Sequence, residues 1–263
     1  MLACAAFLIA ASAEDRGILS AQPTASALTL AAGETRLPDG SLAYRPSQLP
    51  PGPRPLLVIL HGYGQDPAQF TRSFKHWADR CGALLVGPVA KDVTWDVIAT
   101  SRELDTRRTR PSLAPTRFGE DARRIDRDLA ALFASAPIDP KRIALLGFSD
   151  GASYSLSLGL ANPQLFSWVI AFSPGFALWP KHVSLGQKIF IAHGTHDTRL
   201  PFEATRDDIV KPLRAAGVEV QFRSFDGDHV LVRPIVQESL RLAFGCGGWR
   251  LAATRARAAP VTD

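Results

Sequence analysis

Short apolar runs alternate along the chain with amphipathic stretches. The clearest run covers residues 56–60 and ends at His61-Gly62, and an unbroken apolar run of this length is typical of a strand buried on both faces. Two short segments before it, residues 27–30 and 42–44, are predicted as antiparallel edge strands. Later runs predict five further strands, over residues 83–86, 143–146, 168–172, 189–192 and 218–225.

Helical periodicity fills the intervals between these strands. Asp66-Pro67 predicts the N-cap and first residue of a helix that runs through residue 78 and stops near Gly82. Four more helices are predicted, over residues 120–135, from Gly151 onward, over 203–216 with a kink at Pro212, and over 234–244. Alternation of strand and helix predicts an α/β fold, a doubly wound and mostly parallel sheet with helices on both faces. Ligands bind such sheets at the carboxyl ends of the strands.

The expected domain organisation is simple. Residues 26–248 are predicted to form one domain, in which residues 88–117 have few periodic apolar positions and are expected to form a long loop or a cap over the sheet. Residues 1–25 form an N-terminal segment, whose apolar start and Ala11-Ser12-Ala13 resemble a secretory signal without a basic n-region. Export, periplasmic or secreted, is favoured over a frayed N-terminus on a cytoplasmic protein. Residues 249–263 are expected to be a disordered tail.

Composition excludes several classes of protein. With 46% apolar and 21% charged residues in a chain of 263, the protein is expected to be globular. The net charge is +5, but the basic residues are scattered, so nucleic acid binding is not expected. The N-terminal apolar run is too short to span a bilayer, so stable membrane insertion is not expected either. The three cysteines, Cys4, Cys81 and Cys246, lack zinc-site spacing, and we expect no metal. The sequence leaves open whether Cys81 and Cys246 pair.

The strongest chemical signal is Gly147-Phe148-Ser149-Asp150-Gly151, a G-x-S-x-G between a predicted strand and a predicted helix. Its glycines allow a turn too tight for a Cβ atom, and the turn exposes the Ser149 hydroxyl at the sheet edge. The helix that follows supplies N–H groups for a developing oxyanion. Ser149 is therefore predicted to be a catalytic nucleophile.

A serine needs a base and an orienting acid, expected here in the order serine, acid, histidine. Asp197 follows one later strand and His229 follows the next, so we predict Asp197 as the acid and His229 as the base. Other candidates remain open, and they are His61, His193 and His196 for the base and Asp226 and Asp228 for the acid.

The remaining site residues are predicted from their positions after strands. The backbone N–H groups of Tyr63 and Asp150 are expected to form the oxyanion hole, although His61-Gly62-Tyr63-Gly64 is also compatible with a simple glycine turn. Trp95 and Phe176 follow strand ends and are candidate substrate-binding residues. Ordinary core packing remains the alternative for Trp95.

These segments together resemble the α/β-hydrolase superfamily. More narrowly, the chain is similar to serine esterases of the phospholipase/carboxylesterase (acyl-protein-thioesterase-like) and polyhydroxybutyrate-depolymerase-like groups. The matching stretches are residues 61–64, 147–151, 193–197 and 227–229. The resemblance implies cofactor-free hydrolysis of a small-molecule ester or thioester through an acyl-enzyme, with Ser149, Asp197 and His229 as the triad.

Two departures limit what the resemblance implies about substrate. Asp150 stands where many acyl-thioesterase relatives carry Gln, and residues 88–117 match no counterpart. A peptidase of the same fold and a catalytically silent binding module are the alternative functions, and the complete Ser, Asp, His order argues against the silent one.

Overall fold

One eight-stranded sheet forms the centre of the protein. The computed structural model describes residues 16–100 and 117–246. Along the sheet the strands lie in the order β1-β2-β4-β3-β5-β6-β7-β8. The pairings of β2 with β1 and with β4 are antiparallel, and the other five pairings are parallel. The strands are β1 Gly33–Arg36, β2 Leu42–Arg45, β3 Arg54–Leu60, β4 Leu84–Gly87, β5 Ile138–Phe148, β6 Trp168–Phe172, β7 Lys188–Gly194 and β8 Glu219–Phe225. The predicted fold class is confirmed.

Helices cover both faces of this sheet. They are α1 Pro67–Arg72, α2 Lys75–Cys81, α3 Glu120–Ser135, α4 Asp150–Ala161, α5 Phe202–Ala204, α6 Lys211–Ala215 and α7 Arg233–Phe244. Helices α2 and α7 pack on one face, through apolar residues such as Trp77 and Leu240. Helices α3 and α4 pack on the other face, as do the residues around α6.

The central strand shows why its sequence is apolar throughout. In β3, Leu56, Val58 and Leu60 pack with the α3 face, whereas Leu57 and Ile59 pack with the α2 and α7 face. All five side chains are buried, because successive side chains of a strand point to opposite faces and both faces carry helices. The sheet therefore holds a rigid edge at the carboxyl ends of its parallel strands.

Two of the predicted elements are wrong in detail. Residues 27–30 form no strand, and the first edge strand is β1; the N–H groups of Thr29 and Leu30 donate instead to the Ser135 carbonyl at the end of α3. The helix predicted from Asp66 to residue 78 is two helices. The Ser73 hydroxyl donates to the Phe70 carbonyl between them, and such local bonds compete with helix continuation.

The expected irregularity at Pro212 takes the form of a π-helical turn. Residues Thr205–Val210 join α5 to α6 in this wider helix, and the Lys211 N–H donates to the Arg206 carbonyl five residues back. Proline has no N–H with which to continue the ordinary pattern, and its ring crowds the preceding turn. The helical segment therefore changes its winding immediately before Pro212.

Parts of the N-terminal segment and of residues 88–117 are buried in the core. Leu19 and Ala21 are buried in the core, and the Asn162 side chain bonds the backbone of Gly17 and Leu19, so this part of residues 1–25 belongs to the folded domain. Within residues 88–117, Trp95, Val97 and Ile98 are buried in the core, so residues 95–98 are core rather than a cap above the sheet. The predicted signal at residues 1–13, the rest of the cap and the tail from residue 249 lie outside the described residues.

A disulfide joins Cys81 and Cys246, the pair that the sequence left open. It links the end of α2 to the residues that follow α7 and lies on one face of the sheet. No helix in residues 16–100 and 117–246 is long and apolar enough to cross a membrane. Over the same residues, no group of three histidine, cysteine or acidic side chains could hold a metal ion.

Candidate active site

Ser149 occupies a strained turn between β5 and α4. Its backbone has φ 58° and ψ −121°, a conformation that a residue with a side chain rarely adopts. A Cβ atom at Gly147 would lie 2.1 Å from the Gly151 carbonyl oxygen, and one at Gly151 would lie 2.2 Å from the Leu60 carbonyl oxygen. The two glycines are therefore required by the close approach of strand and helix, which holds Ser149 at the carboxyl edge of the sheet.

Asp197 and His229 lie on the loops after β7 and β8 and contact each other. The Nδ1 atom of His229 is 2.7 Å from Asp197 Oδ2, and the Asp197 side chain is fully buried. The other carboxylate oxygen accepts the N–H groups of Arg199 and Leu200. Burial alone would raise the pKa of Asp197, but the N–H donors of Leu200, His229 and Arg199 outweigh it and lower the pKa. Asp197 is thus held as a carboxylate.

The loops of the acid and the histidine are joined through their backbones. The His196 N–H donates to the Gly227 carbonyl, and a Cβ at Gly194 would lie 2.3 Å from that same oxygen. The His229 ring packs on the ring of Phe148 at a centroid distance of 4.9 Å. Since Phe148 immediately precedes Ser149, this contact brings the imidazole to the turn that carries the serine.

The rival acids occupy other positions. Asp226 pairs with His196 on the surface, where both side chains are largely exposed. The Asp228 carboxylate accepts the N–H and hydroxyl of Thr198 and the N–H of His229, so it ties the two loops together. Neither carboxylate forms a hydrogen bond with the His229 ring, which contacts Asp197.

Of the rival bases, His61 is buried beside the first loop of the site. Its Nδ1 donates to the Gly62 carbonyl, its Nε2 accepts the Ala90 N–H, and its ring packs on Trp95. Both ring nitrogens are therefore used by the backbone, and burial lowers the pKa of His61, which favours the neutral form. His193 is also buried, beneath the acid loop.

The loop after β3 passes directly over the serine turn. A Cβ at Gly62 would lie 3.3 Å from Ser149 Cβ, and the Gly62 N–H donates to the Gln65 side chain. Gly64 has φ +65°, the left-handed region that favours glycine. Tyr63 lies between the two glycines and is 55% exposed.

Thr94 and Trp95 lie side by side on a segment that contacts the serine turn and the loop after β3. The Thr94 hydroxyl donates to the Asp150 carboxylate at 2.5 Å. Next to it, Trp95 is fully buried, stacks on Tyr154, and donates its Nε1–H to the His61 carbonyl. Its position is that of core packing, the alternative reading of Trp95, and it presents no surface to a substrate. No motif marks Thr94.

Phe176 is half-buried on a loop that α4 holds by its serine hydroxyls. Ser153 Oγ accepts the N–H groups of Gly175 and Phe176, and Ser157 Oγ accepts the N–H of Leu178. Serines 149, 153 and 157 are spaced by four residues and so lie along one side of the helix. The hydroxyls below the candidate nucleophile thus fasten the backbone of residues 175–178.

The parallel sheet, the strained serine turn after β5, and the acid and histidine loops after β7 and β8 define an α/β-hydrolase. A family model of phospholipases and carboxylesterases matches residues 51–240. The chain belongs to this phospholipase/carboxylesterase family, and it is a serine hydrolase of esters. A comparison with curated proteins returned no significant match.

Solved structures with the same fold share little sequence identity with the chain. A phospholipase/carboxylesterase from Dyadobacter fermentans superposes with a TM-score of 0.55 at 18% identity, covering 79% of this chain and 96% of that one. The fluorophosphonate-binding serine hydrolase FphF of Staphylococcus aureus gives 0.57 at 14% identity, covering 81% and 95%. Esterase 2 of Thermogutta terrifontis, phosphorylated by paraoxon, gives 0.52 at 20% identity, covering 77% and 85%.

Proposed function

We propose that Ser149, His229 and Asp197 are the nucleophile, base and acid of a carboxylesterase. The observation that carries this proposal is the 2.7 Å contact between His229 Nδ1 and Asp197, beside the strained turn at Ser149. The Nδ1–H group of His229 donates a hydrogen bond to Asp197, so Nε2 carries no proton and can act as the base. It takes the proton of Ser149 as the hydroxyl attacks the ester carbonyl, and returns it to the leaving alcohol. A water then cleaves the acyl-enzyme in the same way.

The oxyanion hole is proposed to consist of the Tyr63 and Asp150 N–H groups. The Gly62 contact with Ser149 supports the first, because Tyr63 follows it on the same loop. Asp150 is the first residue of α4, so its N–H stands at the positive end of a helix of 12 residues. Both donors belong to the backbone, and a fixed backbone needs little rearrangement when negative charge develops.

The substrate class is proposed to be uncharged carboxylic esters with an apolar group. Three large apolar side chains of the site loops are about half exposed, and they are Tyr63 (55%), Val93 (52%) and Val230 (49%). Val93 lies beside Gly64, and Val230 follows His229. Exposed apolar side chains around a reactive serine favour burial of a substrate's apolar part. Thioester cleavage would use the same machinery.

An oxidising compartment is proposed for the protein. The Cys81–Cys246 disulfide supports this, because such bonds persist outside the reducing cytosol. It favours the exported alternative that the signal-like N-terminus suggested. Non-reducing gels of protein from periplasmic and cytosolic fractions of an expressing bacterium would test it, and free thiols in the native host would contradict it.

Labelling with a fluorophosphonate tests the nucleophile. We expect one equivalent of label on Ser149 in the wild type, none in Ser149→Ala, and full labelling in the control Ser184→Ala, which changes a serine on another loop. The structural neighbour FphF is a fluorophosphonate-binding serine hydrolase, which supports the choice of reagent. Label on another residue of folded wild-type protein, or hydrolysis retained by Ser149→Ala, would refute the assignment.

A series of p-nitrophenyl esters tests the substrate class. From acetate to hexanoate we expect kcat/KM to rise, because each added methylene group that is buried contributes about 0.8 kcal/mol. Replacing Val230 or Val93 by Ser should reduce that rise, with little effect on acetate. Equal kcat/KM for all chain lengths would contradict an apolar subsite, and faster cleavage of peptide p-nitroanilides than of esters would favour the peptidase alternative.

A further inference from the structure

A second imidazole lies against the carboxylate of Asp197. The Nε2 atom of His193, at the end of β7, is 3.0 Å from Asp197 Oδ2 and 3.0 Å from the Leu200 carbonyl oxygen. The same Oδ2 atom is 2.7 Å from Nδ1 of His229. One carboxylate oxygen therefore lies between two histidine rings, and the proposed triad uses only one of them.

The partners of His193 determine where its proton is. A carbonyl oxygen can only accept a hydrogen bond, so Nε2 must carry a hydrogen that bonds the Leu200 carbonyl, and Asp197 Oδ2 is a second acceptor at 3.0 Å. The other nitrogen, Nδ1, is buried and has no hydrogen-bond partner among the described residues. A second proton on Nδ1 would be buried without an acceptor, at a high cost in free energy. His193 is therefore fixed as the neutral Nε2–H tautomer.

We infer that His193 is a positioning residue for Asp197, a neutral N–H donor that holds the carboxylate in place and limits its basicity toward His229. This inference rests on the proposed triad. The side chains of His193 and Asp197 are both fully buried, so no water replaces the donor. Burial lowers the pKa of His193, in agreement with a ring that stays neutral while the base works.

The groups around the two rings determine whether loss of the His193 donor favours the protonated or the neutral form of His229. The titratable groups that face Asp197 are His193 and His229, and the next carboxylate, Asp228, binds the backbone N–H of His229. The ring of Phe202 meets the His193 ring edge to face at 6.0 Å. A neutral donor on Oδ2 disperses the carboxylate charge. Its removal concentrates that charge on the His229 imidazolium and stabilises the protonated form, which is inactive as a base.

Matched amide variants separate donation from packing. In His193→Gln the amide nitrogen reaches the position of Nε2, whereas in His193→Asn it reaches only that of Nδ1. For His193→Asn we expect kcat to fall about tenfold with KM within about twofold, and the acid limb of kcat/KM to move about one pH unit upward. His193→Gln should stay within about twofold of wild type, with its acid limb unmoved. Thermal denaturation of each variant checks the fold.

Superimposable pH profiles for the Gln and Asn variants, in folded proteins, would overturn the inference. If His193→Asn does not fold, ¹⁵N NMR of the histidines in wild-type protein decides between the alternatives. We expect His193 as the neutral Nε2–H tautomer from pH 5 to 8, and an Nδ1–H or doubly protonated ring would refute it. Failure of the proposed function is a different result, because it appears as missing fluorophosphonate label on Ser149 of the wild type.

Discussion

Breaking the Cys81–Cys246 disulfide is expected to cost much of the protein's stability and little of its activity. The bond spans 165 residues. Closing a loop of this length lowers the conformational entropy of the unfolded chain by an amount equivalent to about 5 kcal/mol at 25 °C, by the chain-entropy model. For a domain of this size we expect the melting temperature of Cys81→Ser/Cys246→Ser to fall by about 10–20 °C.

The fall in stability should not extend to the chemistry at room temperature. The disulfide joins the end of α2 to the residues after α7, whereas His229 precedes α7 and Ser149 lies at the edge of the sheet. Ester hydrolysis at 25 °C should therefore stay within about threefold of wild type, because the disulfide acts mainly on the unfolded chain.

The assay is differential scanning fluorimetry with and without reductant, beside titration of thiols in denatured, unreduced protein. Reductant should lower the melting temperature of the wild type and leave that of the double variant unchanged. Cys4→Ser is the matched control, and in that variant no thiol should titrate. Two titrating thiols in it, or a melting temperature unmoved by the double substitution, would refute the entropic reasoning.

Three further outcomes are expected at the site and in the core. Asp197→Asn should lower kcat by about four decades with KM nearly unchanged, because the amide favours the wrong tautomer of His229. Asp226→Asn should leave kcat nearly unchanged. If steady-state kinetics showed the reverse, the acid would be misassigned. Gly194→Ala should lower kcat/KM at least about tenfold, since its Cβ would lie 2.3 Å from the Gly227 carbonyl oxygen and push the two site loops apart. Gly186→Ala is its control, because a Cβ there would meet only Ser184 Oγ at 3.9 Å, an ordinary contact, and equal activities of the two variants would contradict the steric reasoning. Burial raises the pKa of Asp128 to about 6, so the folded state binds the proton more tightly than the unfolded chain and its stability falls as pH rises from about 4 to about 6. Urea unfolding across this range should show that the unfolding free energy of the wild type, minus that of Asp128→Asn, falls as pH rises. A difference that stays constant with pH would contradict the raised pKa of Asp128.

The sheet was readable from the sequence because its strands are buried on both faces. The apolar run at residues 168–172 coincides with β6, and helix α3 begins and ends where its apolar face predicts. The edge was harder to predict, because β1 is half exposed and its sequence, GETR, has no apolar pattern. The break between α1 and α2 depends on the Ser73 hydroxyl, whose hydrogen bond is not encoded by periodicity.

The parts of the candidate site that could be predicted are those marked by the sequence of a single loop. The G-x-S-x-G at Ser149 and the strand-end positions of Asp197 and His229 point to one edge of the sheet. The contacts of His193 with Asp197 and of Thr94 with Asp150 join residues on different turns or segments, so they depend on tertiary geometry. The spacing of His193 and Asp197, four residues across a strand end, was a weak signal for the first contact. The burial of Trp95 agrees with the core-packing alternative that the sequence left open.

The serine hydroxyls of α4 bind residues 175–178 through their backbone and not through their side chains. Ser153 and Ser157 receive only backbone N–H groups from this loop, and any residue except proline supplies one. Exchange of Phe176 for another residue other than proline therefore keeps the backbone bonds to Ser153, although it removes the packing of Phe176 against the core. A library randomised at this position would vary the half-buried surface beside Ser153 while the backbone bonds of the loop stay the same. The attachment of this loop and the nature of its exposed side chains therefore depend on different residues of the chain.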